Sequence, residues 1–290
     1  MQKLLLTGAS GFLGWHLCQV AQADWEVYGT FHSRAVHIPG VQLLSVDLTD
    51  FDAVQQLVQT VQPDAIIHAA ALSSPNACES DPHASYQINV VASCNLAGLS
   101  ADAGIPCVFI SSEQVFDGSK PPYREADPVC PINRYGEHKV AAEVGMQERC
   151  PSVMICRMPL MFGAAPTAKS FLQPWIETLR NGGSISLFTD EIRNPVSGYA
   201  AAQGILIALE QANGILHLGG KERLSRYAIG CLLAEALGIP ETQLLPCRQA
   251  DVKMAAPRPL DVSLDSSLAF RLGYQPKPMK EELKLLNING

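Results

Sequence analysis

Gly8, Gly11 and Gly14 stand three apart, directly after the apolar run Leu4–Thr7, and open a stretch, Gly11–Ala23, that reads as a helix. A strand that turns on glycines into a helix is the first unit of a parallel sheet. Glycine lets the backbone turn tightly and leaves no Cβ between the chain and a ligand. The helix start presents N–H groups without internal partners and the positive end of the peptide dipoles, which suits a pyrophosphate. Gly8, Ser10, Gly11, Phe12, Leu13 and Gly14 are therefore candidate dinucleotide-binding residues. The strand-to-helix setting gives the triplet its weight, since glycine spacing alone is weak evidence.

The alternation continues through the first two-thirds of the chain. Strands are expected at Glu26–Phe31, Leu43–Val46, Asp64–Ala69, Cys107–Ser111 and Val153–Cys156, and helices at Phe51–Val61, His83–Ala103 and Ile132–Arg149. Such a pattern predicts an α/β fold, a doubly wound parallel-sheet Rossmann fold. After Arg157 prolines and glycines punctuate the chain, with helices expected near Ser170–Asn181, Gly198–Gln211 and Ser225–Leu237 and one at the end. We expect residues 1–160 to form an NAD(P)-binding domain. Residues 161–290 should form a smaller substrate-binding region, interleaved with it and not folding alone, over the carboxyl ends of the strands.

Composition narrows the function classes. With 47% hydrophobic residues in 290, a sizeable core can be buried. The net charge of -7 and the lack of a long basic run argue against nucleic acid as a partner. No apolar stretch approaches the ~18 residues that cross a bilayer, and the first apolar run is too short for a signal peptide, so a cytoplasmic protein without membrane contact is expected. The nine cysteines are odd in number and lack a Cys-x-x-Cys pair, which reads as free thiols. No histidine or cysteine spacing suggests a metal site.

Tyr135 and Lys139 are four apart, hence on one face of their helix. A free phenol titrates near pH ~10, and a neighbouring ammonium should lower that value towards a working range. With the glycine loop, with Ser111-Ser112 closing a strand and with Asn89 on a helix, the pair reads as catalytic. In that order the chain resembles the extended short-chain dehydrogenases/reductases, closely over residues 3–163 and loosely beyond. The resemblance implies that Asp47, in Val46-Asp47-Leu48, contacts an adenine and that Ala69, Ala70 and Ala71 lie beside the cofactor. It also implies that Asn89 supports the active site, that Lys139 holds the nicotinamide ribose, and that Ser112 meets the substrate oxygen, with Ser111 its near-equal neighbour. The second strand ends Thr30-Phe31-His32-Ser33-Arg34 without a carboxylate. Ser33 and Arg34 could receive a 2′-phosphate, so NADP(H) is expected, with NAD(H) possible.

Ile110-Ser111-Ser112-Glu113-Gln114-Val115-Phe116-Asp117-Gly118 resembles the Ser-Thr-Asp-Tyr-Val-Phe-Asp-Gly segment of dTDP-4-dehydrorhamnose reductases. Pro131–Gly136, Arg157–Gly163 and Pro257–Asp265 resemble that group too, although Gln114 replaces its tyrosine and Glu113 its aspartate. The resemblance implies reduction of a keto group on a nucleotide sugar, with the proton from Tyr135 and with Ser111, Gln114 and Arg258 at the substrate. It leaves room for a homodimer. Two alternatives stand beside this reading. One is a sugar-nucleotide epimerase or dehydratase. The other is a non-catalytic NADP-binding regulatory subunit similar to the β-subunit of methionine adenosyltransferase.

Overall fold

The computed structural model describes residues 1–211 and 214–285. Its centre is a seven-stranded parallel sheet of β1 (Gln2–Thr7), β2 (Trp25–Phe31), β3 (Gln42–Ser45), β4 (Ala65–His68), β5 (Cys107–Ser112), β6 (Met154–Met158) and β7 (Gly214–His217), in the order β7-β6-β5-β4-β1-β2-β3. Strands buried on both faces read as continuous apolar runs, and side-chain alternation divides them. Leu4 and Leu6 join the core under α1 (Phe12–Ala21), whereas Leu5 joins the opposite core.

Opposite α1, the sheet carries α2 (Phe51–Val61), whose Val54 and Val58 pack beside Ile66 and Phe109. The connection from β4 holds two short helices, α3 (Pro75–Ser80) and α4 (Pro82–Tyr86). A five-residue π-helical turn, Gln87–Val91, then leads into α5 (Ala92–Ala103), which closes on Gly104 at φ 66°. A single helix was expected there from His83. The separate α3 is explained by Ser74, whose hydroxyl caps it, and by Pro75 at its first position, where proline is favoured. Next comes α6 (Arg134–Arg149), packed on α5.

The chain order reverses between β1 and β4. In open α/β sheets this is where a crevice opens beyond the strands' carboxyl ends. The later chain contributes α7 (Leu172–Arg180), α8 (Gly198–Leu209), α9 (Arg226–Leu237), α10 (Ser267–Arg271) and α11 (Met279–Leu285). Helix α8 packs along α1, and β7 completes the sheet beside β6. A further core forms around Leu172, Leu179, Leu187, Ile229, Leu233 and Met279. Among the described residues no helix is long and apolar enough to cross a membrane, and all nine cysteines are free.

Candidate active site

A cleft of about 1020 Å³ opens over the ends of β1, β4 and β5. One end is the glycine turn, with Gly8, Ser10, Gly11, Phe12, Leu13 and Gly14 all on its wall. Gly8 has φ 76°, and a Cβ there would come 2.8 Å from Ala70 Cα; one on Gly14 would come 2.0 Å from the Gly8 carbonyl oxygen. Gly11 offers no side-chain cap to α1, so Phe12, Leu13 and Gly14 carry the N–H groups that a helix start leaves without internal partners. This cradle of bare backbone and dipole fits a pyrophosphate. Thr7 secures it: its hydroxyl accepts from Ala70 N at 3.2 Å and donates to His68 Nδ1 at 2.7 Å. His68 Nε2 meets the Ser93 hydroxyl at 2.8 Å, and burial keeps the imidazole neutral, down to about 3. His68 thus braces the strand ends from behind. Ala69, Ala70 and Ala71, after β4, line the cleft between this turn and β5, whereas Asp47 and Leu48, after β3, line it on the far side of the turn.

At the other end stand Tyr135, Lys139, Ser112 and Gln114, all on the cleft wall. Helix α6 starts where it does because the Asn133 side chain accepts from Gly136 N at 2.9 Å, while its Nδ2 donates to Gln114 Oε1 and to the Pro257 carbonyl, each at 3.0 Å. Gly136 allows the close fit, since a Cβ there would sit 2.2 Å from the Gln114 carbonyl oxygen. Lys139 Nζ donates to the Ile110 carbonyl at 2.8 Å and lies 4.6 Å from the Phe109 ring centre and 5.8 Å from that of Tyr135. Burial pulls its ammonium down to about 8, against the carboxylate of Glu143, which favours the charge.

The phenol behaves differently from the sequence expectation. Burial pushes Tyr135 above its ordinary value; a hydrogen bond with Ser112 works the other way, and the Cys78 and Glu113 groups push it further up. Removal from water outweighs the Ser112 hydrogen bond, and the Lys139 ammonium is directed to a strand carbonyl instead. At neutral pH the phenol keeps its proton, the state needed for a donor.

Ser111 and Ser112 part ways. Ser111 Oγ donates to Glu143 Oε1 at 2.5 Å, while Ser112 Oγ stays on the cleft wall and accepts from Gln114 N at 3.2 Å. Asn89 does not line the cleft. Its amide grips Leu72, accepting from the N–H at 2.9 Å and donating to the carbonyl at 3.0 Å, so it fixes the backbone beyond Ala71. Ser33 and Arg34 follow the cleft residue His32 on an exposed segment and are not on the wall themselves. Arg258 also stands off the wall, donating to Asn76 Oδ1 at 3.2 Å near Glu191, Arg193 and Arg226.

Glu113 was noted in the sequence only as a replacement, yet it is a wall residue, 4% exposed. Its Oε1 pairs with Arg193 Nε at 3.0 Å and its Oε2 has no partner. Burial pushes the carboxyl up to about 8, outweighing the Arg193 and Arg226 guanidinium groups, which pull it down. Arg193 also donates to the Pro259 and Leu260 carbonyls, which ties the C-terminal segment to the cleft wall. Glu143, four residues after Lys139, carried a legible signal in that spacing.

Residues 1–287 match the family model described as the RmlD substrate binding domain. The chain belongs to this family. A solved dTDP-4-dehydrorhamnose reductase of Bacillus anthracis str. Ames, in complex with NADP, is similar to this RmlD-family chain with a TM-score of 0.88 and 25% identity, covering 100% of this chain and 99% of that one. The methionine adenosyltransferase 2 subunit beta of Xenopus laevis is 31% identical over 281 residues, 94% of this chain and 83% of its own. A probable low-salt glycan biosynthesis reductase, Agl14, of Haloferax volcanii is 28% identical over 288 residues, covering 97% and 96%. The extended short-chain dehydrogenase/reductase fold implied by the sequence is the fold of this RmlD-family chain.

Proposed function

We propose that this protein is an NADPH-dependent reductase of a keto group on a nucleotide-linked sugar, working in the cytoplasm. The observation that carries the reading is the convergence of Tyr135, Ser112 and Lys139 on one end of a cleft whose other end is the glycine cradle. The backbone of Gly8–Gly14 would hold the pyrophosphate, with Asp47 and Leu48 towards the adenine and Ser33 and Arg34 available to a 2′-phosphate beyond the end of β2. The dinucleotide, when bound, supplies a hydride. Tyr135 holds a proton at its phenol oxygen and gives it to the carbonyl oxygen as that oxygen becomes an alcohol. Ser112 donates a hydrogen bond to the same oxygen, and the Lys139 ammonium favours the negative charge gathering there. Residues 161–290 act as the substrate-binding region, since Met161, Lys169 and Ser170 close the cleft on that side. Gln114 faces the sugar, and Arg258 serves its phosphates after a change of side-chain position.

The test is NADPH oxidation against a panel of nucleotide-linked 4-keto sugars. Turnover of one of them, lost in Tyr135→Phe, is the expected result. A second reading, a dinucleotide-binding regulatory subunit, is favoured by the likeness to methionine adenosyltransferase 2 subunit beta. A silent panel together with co-purification of a synthetase would decide for it.

A further inference from the structure

Behind the catalytic wall lies a buried row of polar side chains that the proposed chemistry does not use. Ser111 on β5, Arg157 on β6 and His217 on β7 are register partners across three adjacent strands. All three are at most 3% exposed. Glu143 of α6, 4% exposed, sits over the row with both oxygens engaged. Oε1 accepts from Ser111 Oγ at 2.5 Å and Arg157 Nε at 3.0 Å, and Oε2 accepts from Arg157 Nη2 at 2.8 Å. Arg157 lies 5.1 Å over the Phe116 ring, with Nη1 3.4 Å from His217 Nε2. His217 Nδ1 faces the Tyr123 carbonyl at 3.0 Å, which only a protonated Nδ1 can satisfy. Burial and the Arg157 guanidinium keep the imidazole neutral, so its bare Nε2 is the atom turned to the guanidinium.

A buried ion pair is weak evidence for stability, because its desolvation offsets its attraction. Its placement here is more informative. Tyr135, Lys139 and Glu143 follow one another at four-residue intervals on one face of α6. The same Glu143 fixes Ser111, whose preceding residue, Ile110, supplies the carbonyl that receives Lys139. The other groups facing Lys139 are the Phe109 ring and Ile110 carbonyl from β5, the neutral His68 from β4, the Cys78 thiol from α3 and Tyr135 itself. None of these bears a full negative charge at neutral pH, so Glu143 is the one carboxylate among them.

We propose that Glu143, clamped by Arg157, is a positioning residue that keeps Lys139 an ammonium and holds it on the Ile110 carbonyl. The inference deepens the reductase reading and rests on it for its catalytic meaning, but its physical content is testable without turnover. Protein carrying ¹³Cε-labelled lysine is titrated by NMR without cofactor, with Lys139→Arg used to assign the Lys139 resonance. The expected result is a Lys139 midpoint that falls by about 1–2 pH units in Glu143→Gln, with Glu143→Asp staying closer to the parent. Should Glu143→Gln fail to fold around an unpaired Arg157, the double variant Glu143→Met, Arg157→Met removes both charges together, a replacement that buried pairs tolerate. Its Lys139 midpoint should fall in the same direction. An unchanged midpoint in a folded variant overturns the proposal, even in an active enzyme. A shifted midpoint with no keto sugar reduced by the parent protein leaves it standing and removes the reductase reading instead. Where turnover is found, the alkaline fall of kcat should move to lower pH in Glu143→Gln with little change in KM.

Discussion

At one end of the cleft Gly8, Gly11 and Gly14 present bare backbone, and the decisive property is the absence of side chains. At the other, Tyr135, Ser112 and Lys139 rest on Glu143 and Arg157, and the decisive property is charge and hydroxyl groups held out of water. The first end tolerates no added atom: a Cβ on Gly14 meets an oxygen at 2.0 Å. The second tolerates no lost one, since Glu143 has both oxygens in use. Binding and chemistry should therefore fail separately under mutation, although the two ends share one cleft.

The strongest attempt to break that separation is Tyr135→Phe. It should lower kcat by about 10²–10⁴-fold, the range of a lost general acid, and leave NADPH affinity by titration within experimental scatter. A comparable loss of affinity would show that the two ends act as one. Arg34→Ala probes the binding end alone. Removal of a charge-assisted contact of about 1.5–3 kcal/mol should weaken NADPH by roughly 10–100-fold and leave NADH nearly unchanged; equal losses would take Arg34 out of the site. Gly14→Ala should reduce stability by about 1–3 kcal/mol through overpacking, read in urea melts, and abolish dinucleotide binding in whatever remains folded.

The smallest effect sharpens the comparison through pH. Lys139 is lowered by burial from 10.5 to about 8, so between these values the folded chain holds fewer protons than the unfolded one. Stability contributed through this group should rise with pH across that window, whereas turnover should fall as the ammonium is lost above about 8. Melts of the parent and Lys139→Met, set beside the kcat profile, would reveal the opposed slopes. Parallel slopes would mean that the charge on Lys139 has no part in turnover.

Much of the fold was legible because its signals are local. The glycine triplet, the buried apolar strands and Gly104 each act within a few residues, and the strands from β1 to β6 lie close to their expected places. The helix α3 was missed although Ser74-Pro75 is a cap followed by a first-turn proline; its six residues carry too little periodicity to stand out. The candidate site was legible in its pairs at helical spacing, Tyr135 with Lys139, and less so in its environment. Only the family resemblance favoured Ser112 over Ser111; the residues alone did not separate them, because Ser111 is drawn off by Glu143 from across the sheet. The upward shift of the phenol was hidden for the same reason. Spacing reports which groups are neighbours, but not how little water lies between them.

The edge strand β7 has a consequence for how the molecule comes into being. It is made of residues 214–217, yet it lies beside β6 and carries His217 against Arg157. A nascent chain leaving the ribosome can pair its first six strands early, but the guanidinium beneath the site waits for about sixty more residues before its last neighbour arrives. Synthesis arrested ahead of that point should yield a sheet with an open margin, which is a surface for chaperones to cover.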